Sequence, residues 1–96
     1  MTNAYGDKHY LTSNFYSAVF LCVKGLRLID IDRSNPHKSL FIFLDSAERE
    51  YLVRQYSFAE KDSPDVMVDA REFERATKML KDKLYQTNGE QVKLTG

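Results

Sequence analysis

Three aspartates, Asp30, Asp32 and Asp45, come nearest to a reactive site by residue type and spacing. Asp30 and Asp32 alternate along one face of a β-prone run, and Asp45 directly follows the next such run. Three carboxylates brought together could bind Mg²⁺, which prefers oxygen ligands, and so support metal-dependent hydrolysis. A simpler interpretation places the first two on the solvent face of a strand and Asp45 at a helix N-terminus. We favour it and predict no metal ligand.

The other side chains with catalytic potential have no partners nearby in the sequence. The two histidines, His9 and His37, fall in a polar N-terminal segment and in a predicted turn. Cys22 lies on the apolar face of a predicted helix, where a core thiol is expected rather than a nucleophile. The chain has four glycines and no phosphate-loop pattern. We therefore predict a non-enzymatic protein with no catalytic residue and no cofactor.

Basic residues indicate one function, nucleic-acid binding. Two of them flank the break in a predicted hairpin, and the others lie on the polar face of the last helix. Such a surface could contact phosphates, although a solvated helix face would account for the same residues. The candidate nucleic-acid contacts are Arg33, Lys38, Arg75, Lys78, Lys81 and Lys83.

Aromatic residues indicate a different function, protein binding. Six Phe and six Tyr exceed what one small core usually needs, and Tyr is common in protein interfaces. If the exposed ones cluster, they form an interaction surface or the seam of a homodimer. The candidate interface residues are Tyr5, Tyr10, Tyr16, Phe20 and Tyr85. We predict a small binding or adaptor module whose partner is a protein or a second copy, with nucleic-acid binding as the alternative.

Net charge and cysteine content limit the partners and the cellular compartment that we predict for the chain. Fourteen basic and fourteen acidic residues cancel, which argues against non-specific coating of nucleic acid or an anionic membrane. The longest apolar run, residues 17–23, is far below the ~20 residues that span a bilayer. A single cysteine and a polar N-terminus predict a cytoplasmic protein with no membrane partner.

Residues 26–44 are predicted to form a hairpin against which the rest of the chain packs. Two β-prone runs flank a break at residues 34–38 that contains Asn35 and Pro36, which favour a turn. A break this short predicts an antiparallel hairpin. The second run, residues 40–44, is apolar at every position, which predicts cover on both faces of that strand. Regular alternation in the first run would place Ile29 and Ile31 on the same face.

Helical periodicity surrounds the hairpin. We predict helices over about residues 14–24, 45–59 and 70–86, with residues 66–68 as a brief third strand or an extended connector. The fold class is α+β: a small antiparallel hairpin or three-stranded sheet packed by three helices, in the order α-β-β-α-(β)-α. Residues 1–10 are predicted to be an N-terminal arm, 11–87 a single globular domain and 88–96 a flexible tail.

Several short segments occur in this order along the chain: Leu11-Thr12-Ser13 before an apolar helix with Ala18, Lys24-Gly25-Leu26 before a strand, Phe41-Ile42-Phe43, Leu80-Lys81 and Leu84-Tyr85. These segments resemble a family of small bacterial and phage-encoded domains of unknown function. The likeness covers about residues 11–86. It implies a stand-alone small domain in a prokaryotic or phage context, and it carries no activity or site residues to this chain.

Overall fold

The structure, a computed structural model, describes residues 8–85. Within this range the chain folds into three strands and three α-helices in the order β-α-β-β-α-α, so the predicted α+β class is confirmed. The bounds are β1 His9–Thr12, α1 Phe15–Val23, β2 Leu28–Asp32, β3 Leu40–Leu44, α2 Ala47–Phe58, a 3-10 turn Pro64–Val66, and α3 Ala70–Tyr85. None of the helices in the described range is long and apolar enough to cross a membrane.

The three strands form one antiparallel sheet with β3 at its centre, in the order β1-β3-β2. Strands β2 and β3 form the predicted hairpin. The third strand, however, is β1, and residues 66–68 follow the second of the two predicted alternatives, an extended connector. Pro64 lacks a backbone donor, and the Ser63 hydroxyl accepts a hydrogen bond from the Asp65 amide, so this segment forms a 3-10 turn and an extended connector.

Strand β1 also corrects the predicted N-terminal arm. His9 and Tyr10 belong to the sheet, because Tyr10 pairs with Phe43 and His9 with Leu44. Residues 1–7 and the predicted tail at 88–96 lie outside the described residues.

Helix α1 occupies the centre of the domain. Its five consecutive residues 17–21 are all buried, which requires neighbours on every side of the helix. The Asn14 side chain caps its N-terminus by accepting from the Ser17 amide at 2.9 Å. Gly25 ends it with a φ of +101°, a left-handed conformation that glycine adopts without strain. The helix predicted over about residues 14–24 is therefore confirmed.

The hydrophobic core joins the helices to one face of the sheet. Phe41 and Phe43 of β3 pack in a single cluster with α1, with Leu52 of α2 and with Leu80 of α3. Alternation directs Leu40, Ile42 and Leu44 to the opposite face, which we call the outer face. Among the described residues, the core cluster includes none of these three side chains.

A β-bulge at Ile29 interrupts the alternation of β2. Leu28 pairs with Phe43 and Asp30 with Ile42, so Ile29 is the extra residue. Leu28 thereby packs against the core, and Ile29 is 42% exposed. The prediction that Ile29 shares the buried face of Ile31 is wrong, because uninterrupted alternation takes no account of a bulge.

Candidate binding surface

The three aspartates do not converge. Asp32 pairs with Leu40 at one end of β3, whereas Asp45 follows Leu44 at the other end. Asp45 accepts two hydrogen bonds from the Arg49 guanidinium, at 3.0 and 3.2 Å, which lowers the pKa of its carboxyl below the ordinary value. No group of three His, Cys, Asp or Glu residues within 8–85 is arranged to hold a metal ion. The geometry required by the metal-dependent alternative is therefore missing from this part of the chain.

The predicted basic surface is divided into two regions. Arg33, after β2, donates from Nη1 to the carbonyl oxygens of Lys83 at 2.9 Å and Leu84 at 3.4 Å in the last turn of α3. A cation there complements the negative end of the helix dipole, so part of Arg33's bonding capacity supports the fold. Together with Lys38 and Tyr85, Arg33 lines an open depression between the hairpin loop and the end of α3.

The other basic residues of α3 have different surroundings. Lys78 pairs with Glu74 at 3.5 Å, and Arg75 lies beside Glu72 along the groove between α1 and α3. Lys81 and Lys83 are exposed. The structure thus brings Arg33, Lys38 and the end of α3 together, but it does not place Arg75 and Lys78 in the same depression.

The four predicted interface aromatics within residues 8–85 do not form one surface. Phe20 is only 2% exposed, and its ring lies 5.0 Å from that of Tyr56 on α2, so the prediction of an exposed Phe20 is wrong. Tyr16 stacks on Phe73 in the first turn of α3, whereas Tyr85 is 70% exposed at the opposite end of that helix. Tyr5 lies outside the described residues.

The Tyr10 side chain packs on the core face of the sheet. The Arg49 guanidinium carbon lies 4.4 Å from the centre of the Tyr10 ring, in cation–π geometry. Because Arg49 also binds Asp45, these residues join β1 to the junction between β3 and α2. Tyr10 therefore contributes to holding β1 in the sheet.

The outer face of the sheet carries an apolar strip formed by Leu11 and the alternate residues of β3, beside Asp30 and Asp32 of β2. Ile42 is completely buried at its centre, with Leu11 of β1 as its direct partner. Leu11 and Leu44 are 37% and 41% exposed on the same face. The sequence signal was the continuous apolar run of β3, which implied a second covered face without indicating its neighbour.

The edge of β2 is protected. In the observed register the Asp30–Ile42 and Asp32–Leu40 pairs are hydrogen-bonded, and the Ile31–Phe41 pair between them is not. The amide of Ile31 therefore points away from β3. The Asp30 carboxylate accepts a hydrogen bond from this amide at 2.8 Å. With the bulge at Ile29 and the charge of Asp32, this arrangement obstructs the addition of another strand.

The edge of β1 has none of these features. The Asp45 amide donates to the Lys8 carbonyl oxygen at 2.8 Å, which identifies Tyr10–Phe43 and Thr12–Phe41 as hydrogen-bonded pairs. The N–H and C=O groups of Leu11 therefore point away from β3. Within residues 8–85, no strand lies beyond β1. Its four residues, His-Tyr-Leu-Thr, include no Asp, Glu, Lys, Arg or Pro.

Cys22 has little nucleophilic character at neutral pH. Burial raises the pKa of its thiol to about 11, and the charge of Lys83 offsets only part of this effect. The reactive thiolate is accordingly scarce.

Within residues 8–85, these features define a small α+β domain with one protected and one open sheet edge. The family model described as a domain of unknown function (DUF5659) matches residues 7–86, and the chain belongs to this family. The match covers the entire described fold and agrees with the resemblance found in the sequence. No curated protein and no solved structure matches the chain.

Proposed function

We propose that this domain is a non-enzymatic binding module that recognises protein by adding a strand to the outer edge of β1. The observation that supports this function is the contrast between the two edges, in which β2 is obstructed and the Leu11 backbone groups of β1 point outward. An added strand gains affinity from main-chain hydrogen bonds.

The outer face would supply specificity. Alternate side chains of an added strand lie on the same face as Leu11, next to its exposed side chain. Burial of apolar surface there contributes roughly 25 cal/mol per Å². We therefore expect ligands with apolar residues at alternate positions.

Selection of peptides from a random displayed library, followed by NMR mapping, tests this proposal. We expect selected peptides to shift the amide signals of Leu11 and of its β1 neighbours Tyr10 and Thr12. Leu11→Pro should abolish binding, because proline removes the outward donor without removing a bond to β3. Leu11→Ala keeps the donor and loses only part of the apolar contact, so it should weaken binding without abolishing it. Peptides that bind Leu11→Pro normally, or shift signals in the groove between α1 and α3 instead, would contradict the proposal.

Nucleic-acid binding remains a second candidate because Arg33, Lys38 and the end of α3 border one depression together with the exposed ring of Tyr85. Cations contact phosphates, and an exposed ring can stack on an unpaired base. Titration with a random duplex and a single strand at increasing salt tests this candidate. We expect affinity to fall with salt, and Lys38→Gln to flatten the slope. Lys78→Gln is the control because Glu74 pairs with this lysine. Absence of binding at low salt removes the candidate.

A further inference from the structure

We infer that the strand received by β1 is the β1 strand of a second copy of this chain, so that two sheets join into one six-stranded sheet. The inference rests on the proposed function and specifies its partner. The strands would run antiparallel about a two-fold axis, with Leu11 opposite Leu11 of the other copy. In a hydrogen-bonded antiparallel pair each residue gives its N–H to the partner's C=O, and the outward groups of Leu11 can make this exchange with their own copies.

Charge favours this pairing over the alternatives. The residues His9–Thr12 place no acidic, lysine or arginine side chains opposite one another. Self-pairing of β2 about the outward groups of Ile31 would place Asp30 opposite Asp32 of the other copy, and like charges across a strand pair are unfavourable. Pairing of β1 with β2 of another copy would first have to displace the Asp30 carboxylate from the Ile31 amide.

The difference between the edges also sets the size of the assembly. A chain with two open edges can add copies head to tail without limit, whereas self-pairing about a two-fold axis closes after two copies. With β2 obstructed, both edges of the resulting sheet are protected. The assembly is therefore a dimer and not a fibre.

The outer face becomes continuous across the join. Leu11 lies beside Ile42 within each copy, so the four side chains of both copies would form one apolar row. This row shields part of the 37% of Leu11 that is exposed in the single chain. A strand pair this short buries less than the roughly 800 Å² per partner of a standard interface, so we expect a reversible dimer.

Analytical ultracentrifugation over a roughly thousandfold range of protein concentration tests the inference by mass action. We expect the wild type to shift from monomer to dimer, and Leu11→Ala to do so at higher concentration because it keeps the donor but loses part of the apolar row. Leu11→Pro should stay monomeric with an unchanged circular dichroism spectrum. A Leu11→Pro dimer as stable as that of the wild type would overturn the inference, as would assemblies that grow beyond two copies.

Hydrogen exchange in the wild type gives a measurement that does not depend on the folding of Leu11→Pro. Exchange of the Leu11 amide should slow by about tenfold where the dimer predominates, whereas that of Ile31 should not change with concentration. A Leu11 exchange rate independent of concentration overturns the inference.

The two proposals fail differently. A chain that stays monomeric while selected peptides still bind at β1 overturns the self-pairing alone. A monomeric chain whose selected peptides bind elsewhere overturns strand addition as well.

Discussion

The two edge strands of this sheet are constructed in opposite ways. Strand β2 has a bulge at Ile29, a carboxylate on its outward amide and a guanidinium after its last residue that binds the end of α3. Strand β1 has four residues without charge or bulge, and it presents the backbone of Leu11. Because open edges promote association, protection of one edge restricts contact to the other.

The two strands also differ in their attachment to the core. Ile31 of β2 is buried in the central cluster, whereas Tyr10 of β1 is half-buried beneath Arg49. The edge that is closed to partners is thus the one most firmly packed. The open edge is held mainly by hydrogen bonds to β3 and by one aromatic side chain.

The largest expected effect tests the attachment of β2. Ile31→Ala removes buried methyl groups from the central cluster and should lower the free energy of unfolding by roughly 2–4 kcal/mol. Urea denaturation measures this loss. Ile29→Ala is the matched control, since Ile29 is the exposed bulge residue of the same strand. Equal losses at the two positions would contradict the assigned register.

A smaller effect tests the attachment of β1. Tyr10→Leu keeps an apolar side chain but removes the ring beneath Arg49, and it should cost about 1 kcal/mol of stability. A double-mutant cycle with Arg49→Gln isolates the interaction. Additive effects of the two substitutions would show that the ring and the guanidinium are not coupled.

A fall in pH should weaken the attachment of β1 through Arg49. The bonded Arg49 guanidinium lowers the pKa of Asp45 below its ordinary value of 3.8 in the folded chain. The pair therefore contributes fully above the unfolded pKa, and its contribution is lost as the pH falls through the lower folded pKa. We expect this contribution to be at most about 1 kcal/mol. The free energies of unfolding of the wild type and Asp45→Asn, measured between neutral and acidic pH, should converge at low pH. A difference that stays constant with pH would contradict a stabilising ion pair between Asp45 and Arg49.

The smallest expected change in stability tests the protection of β2. Asp30→Ala removes the acceptor of the Ile31 amide, whereas Asp30→Asn keeps an oxygen at the same place. Exchange of the Ile31 amide should be faster in the alanine variant than in the asparagine variant. If exchange is the same in both, the carboxylate does not protect this edge.

Much of the fold was predictable because it is encoded locally. The run at Leu40–Leu44 was predicted as a strand from its apolar residues, and α3 from its single apolar stripe. The Asp69 carboxylate accepts from the amides of Arg71 and Glu72, an N-cap formed within three residues of the chain. Each of these signals lies within one element.

The missed features depend on contacts between distant residues. Strand β1 has only four residues, and its partner β3 is remote in sequence, so no periodicity reveals the pairing. Phe20 was expected at a surface because one helix cannot show that α2 covers it. Likewise, the sequence grouped Arg33 with other cations and gave no indication that it binds the carbonyls of α3.

The order of strands in the sheet has a consequence for folding kinetics. Residues 32 and 40 meet across a short turn, whereas residues 9 and 44 must close a loop that contains α1 and the whole hairpin. Loop-closure entropy favours the early formation of local pairs. We therefore expect β1 to be the last strand to join the sheet and the first to detach, which would expose the backbone of the most apolar segment in the chain.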